Sequence, residues 1–259
     1  MAISVMFDSN VYRKVLEANG ELFANIQHAI KDHKIDGFLS EVIFQIEAIQ
    51  KVKRKDFFSG KKASSSCVEE IDKHGNIKIN ICICRNYTNF PHGSNKAFEY
   101  LDMANTLGFK VIKNLRIGFP KSIVPEEMFL HINNDKDFHE KNDKTGEACR
   151  EIENMGCGIA HIRRLAKKDE SLCEILEDTV KTQDTRVIAK AFSEWADGDA
   201  IASCIGYGIN YFCTEDNGKA AGKDSICFPD NKVYLEEKFG IKFISAQDLL
   251  NIINTNPNT

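Results

Sequence analysis

Two stretches at opposite ends of the chain place carboxylates just after short apolar runs. Asp8 directly follows "ISVMF", and Asp216 lies two residues past "INYFCT", while Asp199 opens a predicted helix just before that second run. If the two runs are neighbouring parallel strands, the three carboxylates meet at one edge of a sheet, where like charges repel strongly. A bound divalent cation relieves such repulsion, and oxygen-only ligands suit Mg²⁺ or Mn²⁺. These metals activate water and stabilise charge on a phosphodiester, so the residues predict phosphodiester hydrolysis.

The elements around these acids alternate between strand and helix patterns. The first part reads as a strand at 3–7, two helices, a strand at 35–39 and a helix at roughly 41–53 with Ser40 as its N-cap. The last part reads as further helical stripes, a helix at about 199–207, a strand at 209–214, and a helix, strand and helix to the end. This alternation predicts an α/β/α sandwich with a central, mainly parallel sheet. Ligands of such sheets bind at the carboxyl ends of the strands.

The middle of the chain has a different pattern. Alternating residues around "KHGN" predict an antiparallel hairpin, and a helix ending at Gly108 and another strand follow it. The polar stretch 131–147 has no periodicity and predicts a loop or linker. We therefore expect an insertion or elaboration at roughly 56–146 of one domain formed by 1–55 and 147–259.

Composition limits the class of protein. The chain has 259 residues, a formal charge of −4 and 42% hydrophobic residues, without an apolar run of membrane-spanning length. Its N-terminus lacks the basic segment of a signal peptide, and its nine cysteines are scattered. We expect a cytoplasmic protein with free thiols and no membrane partner. Two basic runs, 51–62 and 161–170, are either solvated surface or contacts to a phosphate backbone.

Four short motifs in this order resemble the PIN-domain nucleases. "MFDSN", an acid on the third helix, "DAIA" opening a late helix and "TED" closing the next strand match Asp-x-Asn, Glu, Asp before an apolar helix, and Thr-x-Asp. The resemblance covers about residues 1–55 and 180–250. It implies a compact α/β/α fold and a ribonuclease that depends on Mg²⁺ or Mn²⁺. Many members of this family are toxins of toxin–antitoxin pairs.

Two of the family positions are matched by single residues here. Asp8 matches the first acid, and Asn10 matches the position that supports it by hydrogen bonding. Asp216 matches the acid of Thr-x-Asp, and the hydroxyl of Thr214 would orient a ligand, water or phosphate. Glu215 is expected to point away from both, because side chains alternate along a strand.

The other two positions each have two candidates. Glu47 stands where the family places its helix acid, whereas Glu41 suits an ordinary acid of a first helical turn. Asp199 directly precedes the apolar helix and is preferred as the third acid, but Asp197 remains open as a ligand or as an N-cap. We predict a catalytic, metal-binding set of Asp8, Glu47, Asp199 and Asp216, supported by Asn10, Thr214 and Asp197.

The predicted function is a metal-dependent endoribonuclease that cuts single-stranded RNA, and it extends to a toxin or defence role. The alternative is a catalytically silent PIN-like module that binds RNA or a protein partner. The resemblance also implies an antitoxin-type protein as a candidate partner. The predicted hairpin would shape the path of the substrate or mediate self-association.

Overall fold

A computed structural model describes residues 2–47, 49–58, 63–71, 77–85, 95–114, 123–132, 134–165, 183–218 and 222–255. The strands in this part of the chain are β1 Ile3–Phe7, β2 Ile35–Ser40, β3 Ala63–Ile71, β4 Ile77–Arg85, β5 Lys110–Ile112, β6 Tyr211–Cys213 and β7 Lys242–Ile244. Five of them form one parallel sheet in the order β5–β2–β1–β6–β7. The predicted parallel sheet is therefore confirmed. β3 and β4 form a separate antiparallel pair, in which Ala63 is opposite Arg85 and Ile71 is opposite Ile77.

The described α-helices are α1 Ser9–Leu16, α2 Glu21–Lys31, α3 Arg54–Phe58, α4 Asn95–Leu107, α5 Asp135–Asn154, α6 Ala160–Arg163, α7 Thr185–Gly206, α8 Pro229–Phe239 and α9 Ala246–Thr255. A π-helical turn covers Ile43–Glu47, and 3₁₀ turns cover Lys51–Lys53, Glu126–Met128 and Gly222–Asp224. None of the helices formed by the described residues combines the length and the apolarity needed to cross a membrane.

Successive residues of a strand point to opposite faces of the sheet, so each strand contributes to two cores. Helices pack against both faces. Met6 and Phe212 belong to one buried core, whereas Val5, Phe7 and Cys213 belong to the other. The first core includes side chains of α5, α6, α7 and α8. The second includes side chains of α1, α2, α4 and α9. The chain is thus an α/β protein with helical layers on either side of a parallel sheet.

Part of the predicted insertion belongs to this main fold. β5 pairs with β2, with Phe38 opposite Lys110 and Ser40 opposite Ile112. Leu101 of α4 lies in the same core as α1 and α2. The segment 56–146 therefore contributes the edge strand and one covering helix, while β3 and β4 form a sheet of their own.

The prediction of a loop at 131–147 is wrong, because most of it forms α5. Asn134 caps the helix by accepting a hydrogen bond from the amide of Asp137 at 2.8 Å. Lysine–acid pairs at i,i+4 support its exposed side. Its fully buried residues, Ala148 and Ile152, come only near its end. The apolar periodicity that signals a helix is therefore missing from the stretch that was predicted as a loop.

The prediction of a single helix at 41–53 capped by Ser40 is also wrong. The β2 ladder continues past Ser40, since the amide of Glu41 donates to Ile112 O at 2.9 Å. The hydroxyl of Ser40 is buried and has no hydrogen-bond partner among the described residues. Two short turns and α3 occupy this region instead of one regular helix. Near the other end of the chain, the predicted helix at 199–207 is the second half of the longer α7.

Candidate active site

The carboxyl ends of two adjacent strands bring Asp8 and Thr214 together. β1 and β6 are parallel neighbours, and Phe7 is opposite Cys213. The β1–β6 ladder continues past Phe7, because Asp8 N donates to Cys213 O at 3.0 Å. The β6–β7 ladder likewise continues past Cys213, because Thr214 N donates to Ile244 O at 3.0 Å. This edge is where parallel sheets hold their ligands.

The Asp8 carboxylate is held by three donors. Oδ1 accepts the amide of Ser9 at 2.6 Å, and Oδ2 accepts the Thr214 hydroxyl at 2.6 Å and Asn10 Nδ2 at 2.7 Å. The side chain is 8% exposed. Hydrogen bonds to a carboxylate are stronger than those between neutral groups, so its orientation is well defined. Asn10 thus makes the supporting hydrogen bond that the sequence predicts. The Thr214 hydroxyl, which was expected to orient a ligand, water or phosphate, donates to Asp8 in this structure.

Asp216 is positioned by the loop that follows β6. Its amide donates to Thr214 Oγ1 at 3.0 Å, and its Oδ1 accepts the amide of Gly218 at 2.8 Å. Gly218 has φ +70°, and a Cβ there would lie 2.5 Å from Phe228 N, so this turn requires glycine. Glu215 points away from the site, because its Oε1 accepts the amide of Ala246 at the start of α9.

A cavity of about 770 Å³ opens at this edge of the sheet. Its walls are the residues that follow β1 and β6, the start of α1, the segment 49–54 and one side of α7. Among the described residues, four acids line it: Asp8, Glu194, Asp197 and Asp216. The structure therefore places the acids of both predicted strand ends in a single cavity.

Of the two candidates for the third acid, Asp197 lines this cavity and Asp199 does not. Asp199 is 3% exposed, and its Oδ1 lies 4.0 Å from Cys149 Sγ of α5. Two residues along an α-helix correspond to a rotation of about 200°, so the two side chains face opposite sides of α7. The preferred sequence candidate is thus placed against α5, and the second candidate is placed in the cavity.

The candidates for the helix acid are separated in a similar way. Glu41 is buried at the end of β5, where its Oε2 accepts the amide of Asn114 at 2.7 Å, and it does not line the cavity. Glu47 is the last residue of the π-helical turn, and its side chain lies outside the described part of the structure. Ile49, two residues after Glu47, lines the cavity. Single π-helical turns occur frequently at functional sites.

Glu194 is a cavity acid that the sequence analysis missed. It lies one turn before Asp197 in "SEWAD" and is 7% exposed. Burial raises the pKa of its carboxyl above the ordinary value, and the nearby charge of Asp216 raises it further. Hydrogen bonds from the Ile226 amide and the Ser225 hydroxyl act in the opposite direction. The available signal was the i,i+3 spacing, which places both acids on one side of a helix.

Five cations of the described part of the chain also line the cavity: Arg13, Lys51, Arg54, Arg186 and Lys190. Arg54 is buried and holds the 49–54 segment against α7, because it donates to Ile49 O at 3.2 Å, Ala189 O at 3.3 Å and Ser193 Oγ at 2.9 Å. Lys51, Arg186 and Lys190 are exposed.

The first basic run, 51–62, therefore contributes one structural arginine, Arg54, and at least one cation that faces the cavity, Lys51. Lys61 and Lys62 lie outside the described residues. From the second run, 161–165 is described and does not line the cavity.

The described acids are not close enough together to form a preformed metal site. Within the described ranges, no three His, Cys, Asp or Glu side chains are grouped so that they could hold a metal ion. The acids that line the cavity offer carboxylate oxygens as ligand atoms, and these suit hard divalent cations. The chain matches no protein-family model, no curated protein and no solved structure.

Proposed function

We propose that this chain is a PIN-like, metal-dependent nuclease that cuts single-stranded RNA internally. The observation that carries the proposal is the convergence of Asp8, Asp197 and Asp216 on one cavity at the carboxyl edge of a parallel sheet. Asp197 takes the place of Asp199 as the third acid of the proposed site.

The donors of this cavity fit Mg²⁺ or Mn²⁺ in kind. Asp8, Asp197 and Asp216 would hold the ion, and the family resemblance adds Glu47. The buried Oε2 of Glu194 has no hydrogen-bond partner among the described residues, as expected beside a site that takes up positive charge. When bound, such an ion activates water and stabilises the charge that develops on the phosphodiester.

The side chains of this protein prepare the site in two ways. Thr214 and Asn10 fix the Asp8 carboxylate, so one acid is oriented before any ligand binds. The exposed Lys51, Arg186 and Lys190 supply positive charge at the cavity, which favours a polyanionic strand. No described histidine lines the cavity, so acids and cations are the ionisable groups that the described residues offer to a substrate there.

The test is Mn²⁺-dependent cleavage of a single-stranded RNA by four single variants. We expect Asp8→Asn, Asp197→Asn and Asp216→Asn each to lower the cleavage rate at least about 100-fold, the order of effect of losing a positioned charged group. Asp199→Asn is the matched control: it removes a buried acid of the same helix that does not line the cavity, and it should keep wild-type cleavage.

Retained cleavage in Asp8→Asn and Asp216→Asn would reject the nuclease assignment. Loss in Asp199→Asn with retention in Asp197→Asn would reverse the choice of the third acid. Calorimetric titration of the wild type with Mn²⁺ separates the nuclease from the catalytically silent alternative, because a silent module that binds RNA should show no specific Mn²⁺ binding.

A further inference from the structure

We propose that Glu194 supplies an additional carboxylate to the cation site of this cavity. The inference rests on the proposed function, since it concerns the same site. It adds a residue that belongs to none of the four motifs in the sequence.

The first argument is the position of Glu194 on α7. Glu194 and Asp197 are three residues apart, which separates their directions by about 60° around an α-helix. Both line the cavity, together with Asp8 and Asp216. One side of α7 thus presents two acids to the two that follow the strands.

The second argument is the state of the carboxyl group itself. The Glu194 carboxyl accepts hydrogen bonds from the Ile226 amide and the Ser225 hydroxyl. Its Oε2 is buried and has no hydrogen-bond partner among the described residues. Leaving a buried acceptor unsatisfied costs free energy. A cation in the cavity would satisfy Oε2.

The third argument is charge. The side chain is 7% exposed, and the charge of Asp216 is close enough to disfavour its ionised form. A positive ion in the cavity would favour the ionised form of this carboxyl. If Glu194 is a ligand, loss of its charge should lower the affinity for Mn²⁺. If it is only structural, the affinity should not change.

The experiment is calorimetric titration of the full chain and its Glu194→Gln variant with Mn²⁺. Glutamine keeps the volume and can still accept from Ser225 and Ile226, but it removes the charge. We expect Mn²⁺ affinity to fall about tenfold or more, within the range found when groups that support a metal site are replaced. The Tm measured in EDTA should be unchanged or higher, because a buried charge is removed. Asp199→Asn is the matched control and should leave Mn²⁺ affinity unchanged.

Wild-type Mn²⁺ affinity in Glu194→Gln would overturn the inference. Ser225→Ala distinguishes a ligand from a loop anchor: it weakens the anchor but keeps the carboxylate, so an equal loss of affinity in Ser225→Ala would also overturn it. If Glu194→Gln does not fold, Glu194→Asp replaces it, because the shorter stem withdraws the carboxylate, and unchanged affinity would again count against the inference. Asp8→Asn separates the two proposals: wild-type Mn²⁺ affinity in that variant rejects the proposed function, whereas a loss there with none in Glu194→Gln rejects only this inference.

Discussion

At the scale of single residues, the Thr214 hydroxyl connects the two strand ends that form the site. It donates to Asp8 Oδ2 at 2.6 Å and accepts from Asp216 N at 3.0 Å and from Asn10 Nδ2 at 3.3 Å. Thr214 is 4% exposed, so water does not readily replace these contacts. One hydroxyl thus orients the acid that follows β1 and the loop after β6.

We expect Thr214→Val to lower the free energy of unfolding by about 1–3 kcal/mol, because it keeps the shape but leaves buried polar groups unsatisfied. The measurement is urea unfolding followed by circular dichroism. The control is Thr214→Ser, which keeps the hydroxyl and loses one methyl group, at a cost of about 0.8 kcal/mol. A valine variant as stable as the serine variant would contradict this role of the hydroxyl.

At the scale of secondary-structure elements, α7 determines which acids reach the cavity. Gly198 lies between Asp197 and Asp199 and faces the turn that contains Gly158. A Cβ at Gly198 would lie 2.9 Å from Gly158 Cα and 3.4 Å from Ile152 Cγ2. This backbone contact holds α7 in the rotation that directs Asp197 to the cavity and Asp199 to α5.

We expect Gly198→Ala to destabilise the protein by about 1–3 kcal/mol, as inserting a methyl group into a packed contact generally does. The loss should appear even though alanine favours the helix over glycine by about 1 kcal/mol. Differential scanning calorimetry of the variant and the wild type measures it. Gly146→Ala in α5 is the control, because its Cβ would meet only Arg150 Nη1 at 3.5 Å, an ordinary contact. Equal Tm changes in both variants would contradict the close approach at Gly198.

At the scale of the whole molecule, the distribution of charge decides binding of a polyanion more than the net charge does. The chain carries a formal charge of −4, yet five cations line the cavity within the described ranges alone. An acidic protein can bind a polyanion if its cations are concentrated where the strand lies. The exposed members of this group therefore give the proposed RNA path a direct test.

We expect Lys190→Glu and Arg186→Glu, each made in the Asp8→Asn background to prevent cleavage, to weaken binding of a single-stranded RNA. Each should also reduce the slope of log affinity against log salt by about 1, because one phosphate contact is lost. Fluorescence anisotropy at several salt concentrations measures both quantities. Lys136→Glu, on α5 and outside the cavity, has the same change in net charge and should have little effect. Equal weakening by all three variants would show that the effect is one of net charge alone.

The sequence by itself determined the parallel sheet and the position of two acids at its edge. Strand alternation and helical spacing are local patterns, and residues that directly follow parallel strands meet at one edge wherever those strands are neighbours. Asp8 and Asp216 therefore lie in one cavity, and Glu215 points away from it. The polar helix α5 was missed because few of its residues face the core, and the π-helical turn was missed because no simple spacing signals it.

Only the tertiary structure decided which acids of α7 face the cavity. Because an α-helix has 3.6 residues per turn, Asp197 and Asp199 point in opposite directions. Which of the two faces the cavity depends on how α7 is rotated about its axis. That rotation follows from the contact of Gly198 with Gly158 and from packing against α5, which join residues far apart in the chain. The same rotation places the buried Glu194 in the wall of the cavity that Asp216 also lines, and no local pattern in the sequence encodes this arrangement.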